Sequence, residues 1–203
     1  MRAHAEPSRI EPSGTPRGPG APSVLAWTLG FWLASLVFTG FAAGSTFASL
    51  RKLNPFLAQY DALPSGHDRL AGGHVVEPIF LLSDWVQGVC AALACVMLFV
   101  TRDRLAGRAR WFVRVGVSLA VLLVLVKLIG LNPKMNADLH AFRAAIEAGD
   151  LSGASAPRER FDRMHPLASR VLVLTAAGVL VASISLPLAA RGGRRDGAQS
   201  QPS

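Results

Sequence analysis

Charged residues are scarce in this chain, which argues against an ordinary soluble domain. Asp, Glu, Lys and Arg make up 17% of the 203 residues, whereas soluble proteins contain about 25%. Apolar residues make up 51%, and they fall in four blocks separated by polar or Gly/Pro-rich segments. This distribution indicates an integral membrane protein.

The chain also lacks the motifs that would indicate a known reaction. It contains no Gly-rich nucleotide-binding loop, no HExxH motif and no nucleophile elbow. None of its five histidines lies in the middle of an apolar block, which argues against a haem in the core of a helix bundle. We therefore predict that the protein is not an enzyme and holds no cofactor. A metal bound by His74, His165 and Glu77 stays an open alternative, although their spacing does not support it.

Cysteine chemistry is equally limited. Cys90 and Cys95 lie five residues apart in one apolar block, without CxxC spacing. On a helix they point to different faces, so we expect two free cysteines that pack as small apolar residues.

Each of the four apolar blocks is long enough to cross a membrane as a helix. About 20 residues at 1.5 Å rise span the hydrocarbon core, and only a helix satisfies its own backbone hydrogen bonds in lipid. The segment before the first block is too long and too rich in Pro and Gly for a signal peptide. We predict an all-α membrane protein, a bundle of four transmembrane helices at residues 24–44, 76–100, 111–131 and 167–188.

Outside the predicted domain of residues 24–190, two tails are rich in Pro, Gly, Ser and charge. Residues 1–23 and 191–203 are therefore predicted to be disordered. In the loop after the first block, a short helix at about residues 47–60 is expected to continue the first span.

The loop after the third block has the pattern of an amphipathic helix. Its apolar residues recur at helical spacing, at Met135, Leu139, Phe142 and Ile146. We expect this helix to begin at Asn132-Pro133, to end at Gly149 or Gly153, and to lie on the outer surface or cap the bundle.

Small residues four positions apart recur within the predicted spans. Such pairs let helix backbones approach closely in lipid, so they favour a compact bundle. The pairs are Gly30 and Ala34, Gly40 and Gly44, Gly88 and Ala92, and Gly116 and Ala120.

The net charge of +8 and the pI of about 10.9 come mainly from arginines beside the apolar blocks. Because no basic stripe interleaved with aromatic residues is present, we exclude a nucleic-acid partner. Arginines near span ends instead set orientation. The loop between spans two and three holds Arg102, Arg104, Arg108 and Arg110, with Arg114 just beyond. This density places both termini in the cytoplasm and both long loops outside, in what we predict to be a bacterial inner (plasma) membrane.

Ionisable residues gather in the outer half of the predicted bundle. The candidate polar cluster consists of Glu77, Asp84, Lys127, His165 and Arg170. Such residues are costly at membrane depth and are therefore functional candidates. The favoured interpretation is a set of ion pairs and snorkelling side chains that fix helix register. The alternative is an outward-facing polar pocket or proton pathway with Asp84 at its deepest point.

Several short motifs resemble those of a known family. They are residues 31–38 of span one followed by Gly40-Phe41, residues 71–80 before span two, the Asn132–Asn136 segment, and Phe161–His165 before span four. In their order and spacing they resemble the small four-span domain of unknown function typified by transmembrane protein 205. The resemblance covers about residues 24–190, implies no reaction and no binding residues, and draws attention to His165.

Three functions can be set against each other. The first is a non-enzymatic membrane bundle that acts through partners, lipids or oligomerisation, and we favour it. The second is a transporter or channel subunit for protons or small solutes that uses the polar cluster. The third is an enzyme acting on a lipid or quinone, which the absence of a catalytic constellation disfavours. The partners expected are the lipid bilayer and further copies of the chain.

Overall fold

The computed structural model describes the backbone of residues 20–199 and the side chains of residues 20–190. In this part of the chain the regular structure is helical, with no strand. The elements are α1 (Ala21–Leu53), a 3₁₀ turn (Ala58–Tyr60), α2 (His67–Val100), α3 (Ala109–Leu125), a π-helical segment (Val126–Leu131), α4 (Asn132–Glu147) and α5 (Leu151–Gln199).

The prediction of four helices long and apolar enough to cross a membrane is confirmed. They are Ala21–Leu53, His67–Val100, Ala109–Glu147 and Leu151–Ala190. Each helix runs beyond the predicted span, at both ends for three of them and only at the N-terminal end for α2, which ends at Val100 as predicted. We call the end of the bundle that holds the α1–α2 and α4–α5 connections the loop end. The end that holds the α2–α3 connection and the start of α1 is the tail end.

The limits of α1 follow from its terminal residues. Pro22 lies in the first turn, where a missing N–H leaves no helical bond unmade. Asn54 ends the helix in the left-handed conformation, and its N–H donates to the Leu50 carbonyl at 2.9 Å. Pro55 then prevents further helix. The helix expected at about residues 47–60 is therefore present only to Leu53, and a single 3₁₀ turn follows it.

Helices α3 and α4 form one continuous helix through the π-helical segment. The amphipathic helix expected after span three is present, but it continues span three instead of starting anew. The physical reason lies at Pro133. Its ring displaces the carbonyl four residues earlier, and the wider i→i+5 turn before it accommodates this displacement. At the other end Gly149 reverses the chain with a φ of +74°.

Asp150 caps the N-terminus of α5. One of its carboxylate oxygens accepts hydrogen bonds from the Ser152 hydroxyl at 2.7 Å and from the Gly153 N–H at 2.8 Å. These bonds, the Ser152 hydroxyl first, hold the pKa of Asp150 below its ordinary value. The α4–α5 connection is thereby closed within three residues.

Helix α5 is longer than the predicted fourth span at both ends. It begins at Leu151 and its backbone stays helical to Gln199, where the sequence predicts a disordered tail from residue 191. Continuing an existing helix costs little once its nucleus has formed. Residues 1–19 and 200–203, which the tail predictions also cover, lie outside the described residues.

Apolar side chains from all four long helices form the main core. Its fully buried members include Leu25 and Trp32 of α1, Ala94 of α2, Val117 of α3 and Val179 of α5. A smaller apolar cluster closes the loop end and consists of Tyr60, Leu70, Ile146 and Ala154. Helix α4 therefore caps the loop end through Ile146.

One of the four small-residue pairs lies at a close helix crossing. A Cβ on Gly116 of α3 would meet the Gly178 carbonyl of α5 at 2.7 Å and the Ala182 Cβ at 3.2 Å, and Ala120 is fully buried beside it. By contrast, Gly30, Gly40 and Gly44 of α1 have no described atom within 4 Å of such a position. The two cysteines lie on different faces as predicted, with Cys90 buried and Cys95 exposed.

The Gly116 crossing yields a stability prediction. We expect Gly116→Ala to lower the free energy of unfolding by about 1–3 kcal/mol, because the new methyl group must push α3 and α5 apart. The measurement is unfolding of the purified protein in mixed micelles by titration with a denaturing detergent.

The matched control for this variant is Gly40→Ala. Gly40 lies in the open on α1, so the same methyl group should leave the free energy of unfolding unchanged or raise it slightly. Equal destabilisation by both substitutions would contradict the assignment of Gly116 to a close crossing.

Candidate functional site

Two carboxylates of α2 each meet a base from the continuous α3–α4 helix. Glu77 and Asp84 lie seven residues apart, and therefore on one face of α2. Asp84 pairs with Lys127, and Glu77 pairs with Arg143. These two ion pairs connect α2 to its neighbour at two depths near the loop end.

Asp84 has a donor for each of its oxygens. The Lys127 ammonium donates to Oδ1, and the Asn132 amide donates to Oδ2 at 2.6 Å. The side chains of Asp84 and Lys127 are only 15% and 10% exposed. A buried carboxylate needs this kind of full pairing, because an unpaired charge at that depth would be costly.

The π-helical segment explains how both donors reach the same carboxylate. Lys127 lies within the segment and Asn132 directly follows it. On a regular α-helix, residues five positions apart point about 140° away from each other. The wider turn of a π-helix brings positions five apart towards the same side. The local widening is therefore what lets one carboxylate accept from both residues.

Glu77 occupies the shallower position. Its Oε2 accepts a hydrogen bond from Arg143 Nη1 at 2.6 Å, and His140 Nε2 lies 4.0 Å from its Oε1. Arg143 is 8% exposed, and its Nε and Nη2 have no hydrogen-bond partner among the described residues. Glu77 is 31% exposed, so this pair lies at the edge of the protein interior.

A tyrosine–histidine contact lies beside the Glu77 pair. The Tyr60 hydroxyl is 2.8 Å from His74 Nε2, and the two rings are stacked. Tyr60 is fully buried, and this burial raises the pKa of its phenol above the ordinary value. The phenol therefore stays protonated at neutral pH and fixes the 3₁₀ turn to the start of α2.

At the depth of the Asp84 pair, three uncharged polar side chains connect α2 to α1. The Gln87 amide donates to the Ser83 hydroxyl at 3.0 Å, and the Thr39 hydroxyl donates to the same oxygen at 2.9 Å. All three side chains are buried. Sequence reasoning missed this contact, although the four-residue spacing of Ser83 and Gln87 places them on one face.

The structure divides the predicted polar cluster. Glu77, Asp84 and Lys127 belong to the two ion pairs, whereas His165 and Arg170 are exposed on α5. His165 stacks on Phe161, and neither His165 nor Arg170 forms an ion pair with a described side chain. The phase of the long α5 helix turns both residues away from α2.

Arg143 is a base of this site that the predicted polar cluster does not include. It lies on the amphipathic helix after span three, and it is buried. A signal was present, because Arg143 is four residues after Leu139 and three before Ile146, which places it beside the apolar stripe.

Among the described residues no metal-ligating group forms around these side chains, and the two best-formed grooves lie away from them. In the described part of the chain, no three His, Cys, Asp or Glu side chains gather as a metal site would require. Two open grooves lie elsewhere. The larger, about 420 Å³, runs along α1 and α2 between Trp27, Phe31, Trp85 and Leu93, and the other lies beside Ser45 and Val75.

Comparison of the chain with protein-family models, curated proteins and solved structures gives no match. The resemblance of its motifs to the family typified by transmembrane protein 205 therefore stays a prediction.

The Asp84 ion pair generates a coupling prediction. Asp84→Asn leaves a buried ammonium without its counter-charge, and we expect a loss of about 3–5 kcal/mol in the free energy of unfolding. The double variant Asp84→Asn/Lys127→Gln should recover most of this loss. The measurement is a double-mutant cycle in mixed micelles.

A solvent-exposed pair provides the control. Arg158 and Asp162 lie 3.8 Å apart on α5, and their side chains are 53% and 65% exposed. Asp162→Asn should cost less than about 0.5 kcal/mol. Losses at Asp84 and Lys127 that simply add in the double variant would show that the two side chains do not stabilise each other.

Proposed function

We propose that this protein is an integral membrane bundle without enzymatic activity, which acts through partners, lipids or self-association. The observation that carries the proposal is the mutual pairing of its buried charges. Asp84 has both oxygens occupied by Lys127 and Asn132, and Glu77 is bonded to Arg143. Buried charges that are paired with one another in this way stabilise the contacts between helices.

The exterior of the helices supports the membrane assignment. Large apolar side chains are widely exposed along them, including Trp27, Phe41, Trp85, Ile129 and Ile184. Soluble monomers rarely expose continuous apolar surface on this scale, whereas lipid solvates it. Four helices of sufficient length and hydropathy carry this surface.

We further propose the orientation that the arginine distribution favours. The tail end, with its arginine-rich α2–α3 loop and both termini, lies in the cytoplasm, and the loop end lies outside. The location proposed is the inner (plasma) membrane of a bacterium. Under this orientation the two ion pairs lie in the outer half of the bilayer.

The resemblance to the four-span family typified by transmembrane protein 205 agrees with a bundle of this kind and supplies no reaction. His165, to which the resemblance drew attention, is an exposed residue of α5. As a surface residue it is suited to a contact with a partner, and in this proposal it has no catalytic role.

A transporter or channel subunit is the second candidate, and one observation favours it. Asp84 lies about 12 Å along the helix from residue 76, where the predicted second span begins. Its base, Lys127, lies in a π-helical segment. Such segments frequently mark functional sites. In that function, the contact between Asp84 and Lys127 would break and re-form during each transport cycle.

One reconstitution experiment separates the two candidates. In liposomes with an internal pH dye, our proposal expects wild-type protein and Asp84→Asn to give the same proton leak as protein-free vesicles, including in a screen of added solutes. The same preparations should show a lower unfolding midpoint for Asp84→Asn. Flux in the wild type that Asp84→Asn abolishes, while a folded Asp162→Asn control retains it, would replace our proposal by the transporter.

A further inference from the structure

The short loop at the tail end is held rigidly at one depth. Residues 101–108 join α2 to α3. Thr101 and Leu105 are buried, and the Ala106 N–H donates to the Ala189 carbonyl at 3.1 Å. Because α2 and α3 are both long and apolar enough to span a bilayer, an eight-residue link between them must lie at headgroup level on one side.

Five arginines surround this loop, and we call them the basic rim. They are Arg102, Arg104, Arg108, Arg110 and Arg114. The only acid among residues 101–114 is Asp103, 3.5 Å from Arg102. Arg104, Arg108 and Arg110 are exposed and form no ion pair with any described side chain. The first turn of α3 also contains no acidic residue.

The loop end has a different charge balance. Segments 51–84 and 127–170 together hold ten Lys and Arg against nine Asp and Glu. Many of these charges are paired across or along helices, as in Asp84–Lys127, Glu77–Arg143 and Asp138–Arg160. The excess of positive charge is therefore concentrated at the basic rim, where five arginines face one acid, whereas the loop end carries only one more base than acid.

Exposed aromatic rings lie beside the rim. Phe99 lies in the last turn of α2, and the Arg102 guanidinium lies 4.7 Å from its ring centroid. Trp111 and Phe112 lie in the first turn of α3, are both exposed, and contact each other edge to face. Tryptophan is enriched at the boundary between headgroups and acyl chains. Trp111 at that boundary would bring the neighbouring guanidinium groups level with the lipid phosphates.

We infer that the basic rim binds anionic phospholipids, with the arginines on the phosphodiester headgroup and Trp111 and Phe112 against the acyl chains. Guanidinium groups bind phosphate oxygens through paired, charge-assisted hydrogen bonds. Each basic residue near an anionic surface adds about fivefold in affinity. This inference rests on the proposed membrane insertion, and it holds for either orientation of the bundle.

The test measures which lipids the full-length chain retains. Protein in nanodiscs with equal amounts of phosphatidylglycerol and phosphatidylcholine is released into a mass spectrometer, and the retained lipids are counted. We expect wild-type protein to retain phosphatidylglycerol about tenfold over phosphatidylcholine, and to lose this preference as salt is raised. R104Q/R108Q/R110Q should reduce the preference to less than about twofold.

The matched control is R51Q/K52Q/K134Q. It removes three exposed positive charges from the loop end, none of which forms an ion pair with a described side chain, and it should keep the wild-type preference. If the rim triple variant fails to fold in pure phosphatidylcholine, the single variants Arg104→Gln, Arg108→Gln and Arg110→Gln should each lower the preference in part. R104K/R108K/R110K should retain most of it.

Three results would overturn the inference: a folded rim variant with the wild-type preference, a control variant that loses it, or wild-type protein without any preference. Retention of an added RNA oligonucleotide in place of phosphatidylglycerol would also overturn it, in favour of a nucleic-acid partner. A protein that inserts and folds but shows no lipid preference would contradict only this inference and not the proposed function. Failure to insert into nanodiscs of the lipid mixture and of pure phosphatidylcholine would instead contradict the proposed function itself.

Discussion

The buried carboxylate of Asp84 must be paired within the protein, and much of the loop end is arranged to pair it. A charge at that depth in lipid requires an opposite charge and hydrogen-bond donors within the protein. Lys127 and Asn132 supply them, and they can do so together because a π-helical segment lies between α3 and α4. The same widened turn carries the chain past Pro133 without a break. Helix α4 therefore continues in line and brings Arg143 to Glu77.

Sequence periodicity predicted those features of the fold that are determined within a single helix. Four apolar blocks gave four long helices, and the Gly116–Ala120 spacing marked a real crossing. Pairing between helices was harder to predict, since it depends on helix phase. The phase of α4 relative to α3 changes within the π-helical segment, which no hydropathy pattern records. Arg143 was consequently left out of the predicted cluster, and His165 was included in it although the structure exposes His165 on α5.

The two ends of the bundle use charge in opposite ways. At the loop end acids and bases are almost equal in number and several are bonded to each other. That arrangement holds helices together and leaves little net field. At the tail end the arginines face outward around a loop whose buried residues, Thr101 and Leu105, fix its position. Arginines that are not paired with another helix interact with the surroundings of the protein. At the end of a membrane-spanning bundle, these surroundings are lipid headgroups.

The inward-facing residues of α2 become less polar with distance from the loop end. Glu77 is partly exposed and Asp84 nearly buried, while Gln87 is fully buried and uncharged. Beyond it the inward residues are Cys90 and Ala94. The cost of a charge in lipid rises towards the centre of the bilayer, so carboxylates are tolerated only near the surface and neutral hydrogen bonds replace them deeper. This gradient explains why α2 pairs with the α3–α4 helix through ions near the loop end, whereas the deeper Gln87 bonds to the uncharged Ser83 hydroxyl.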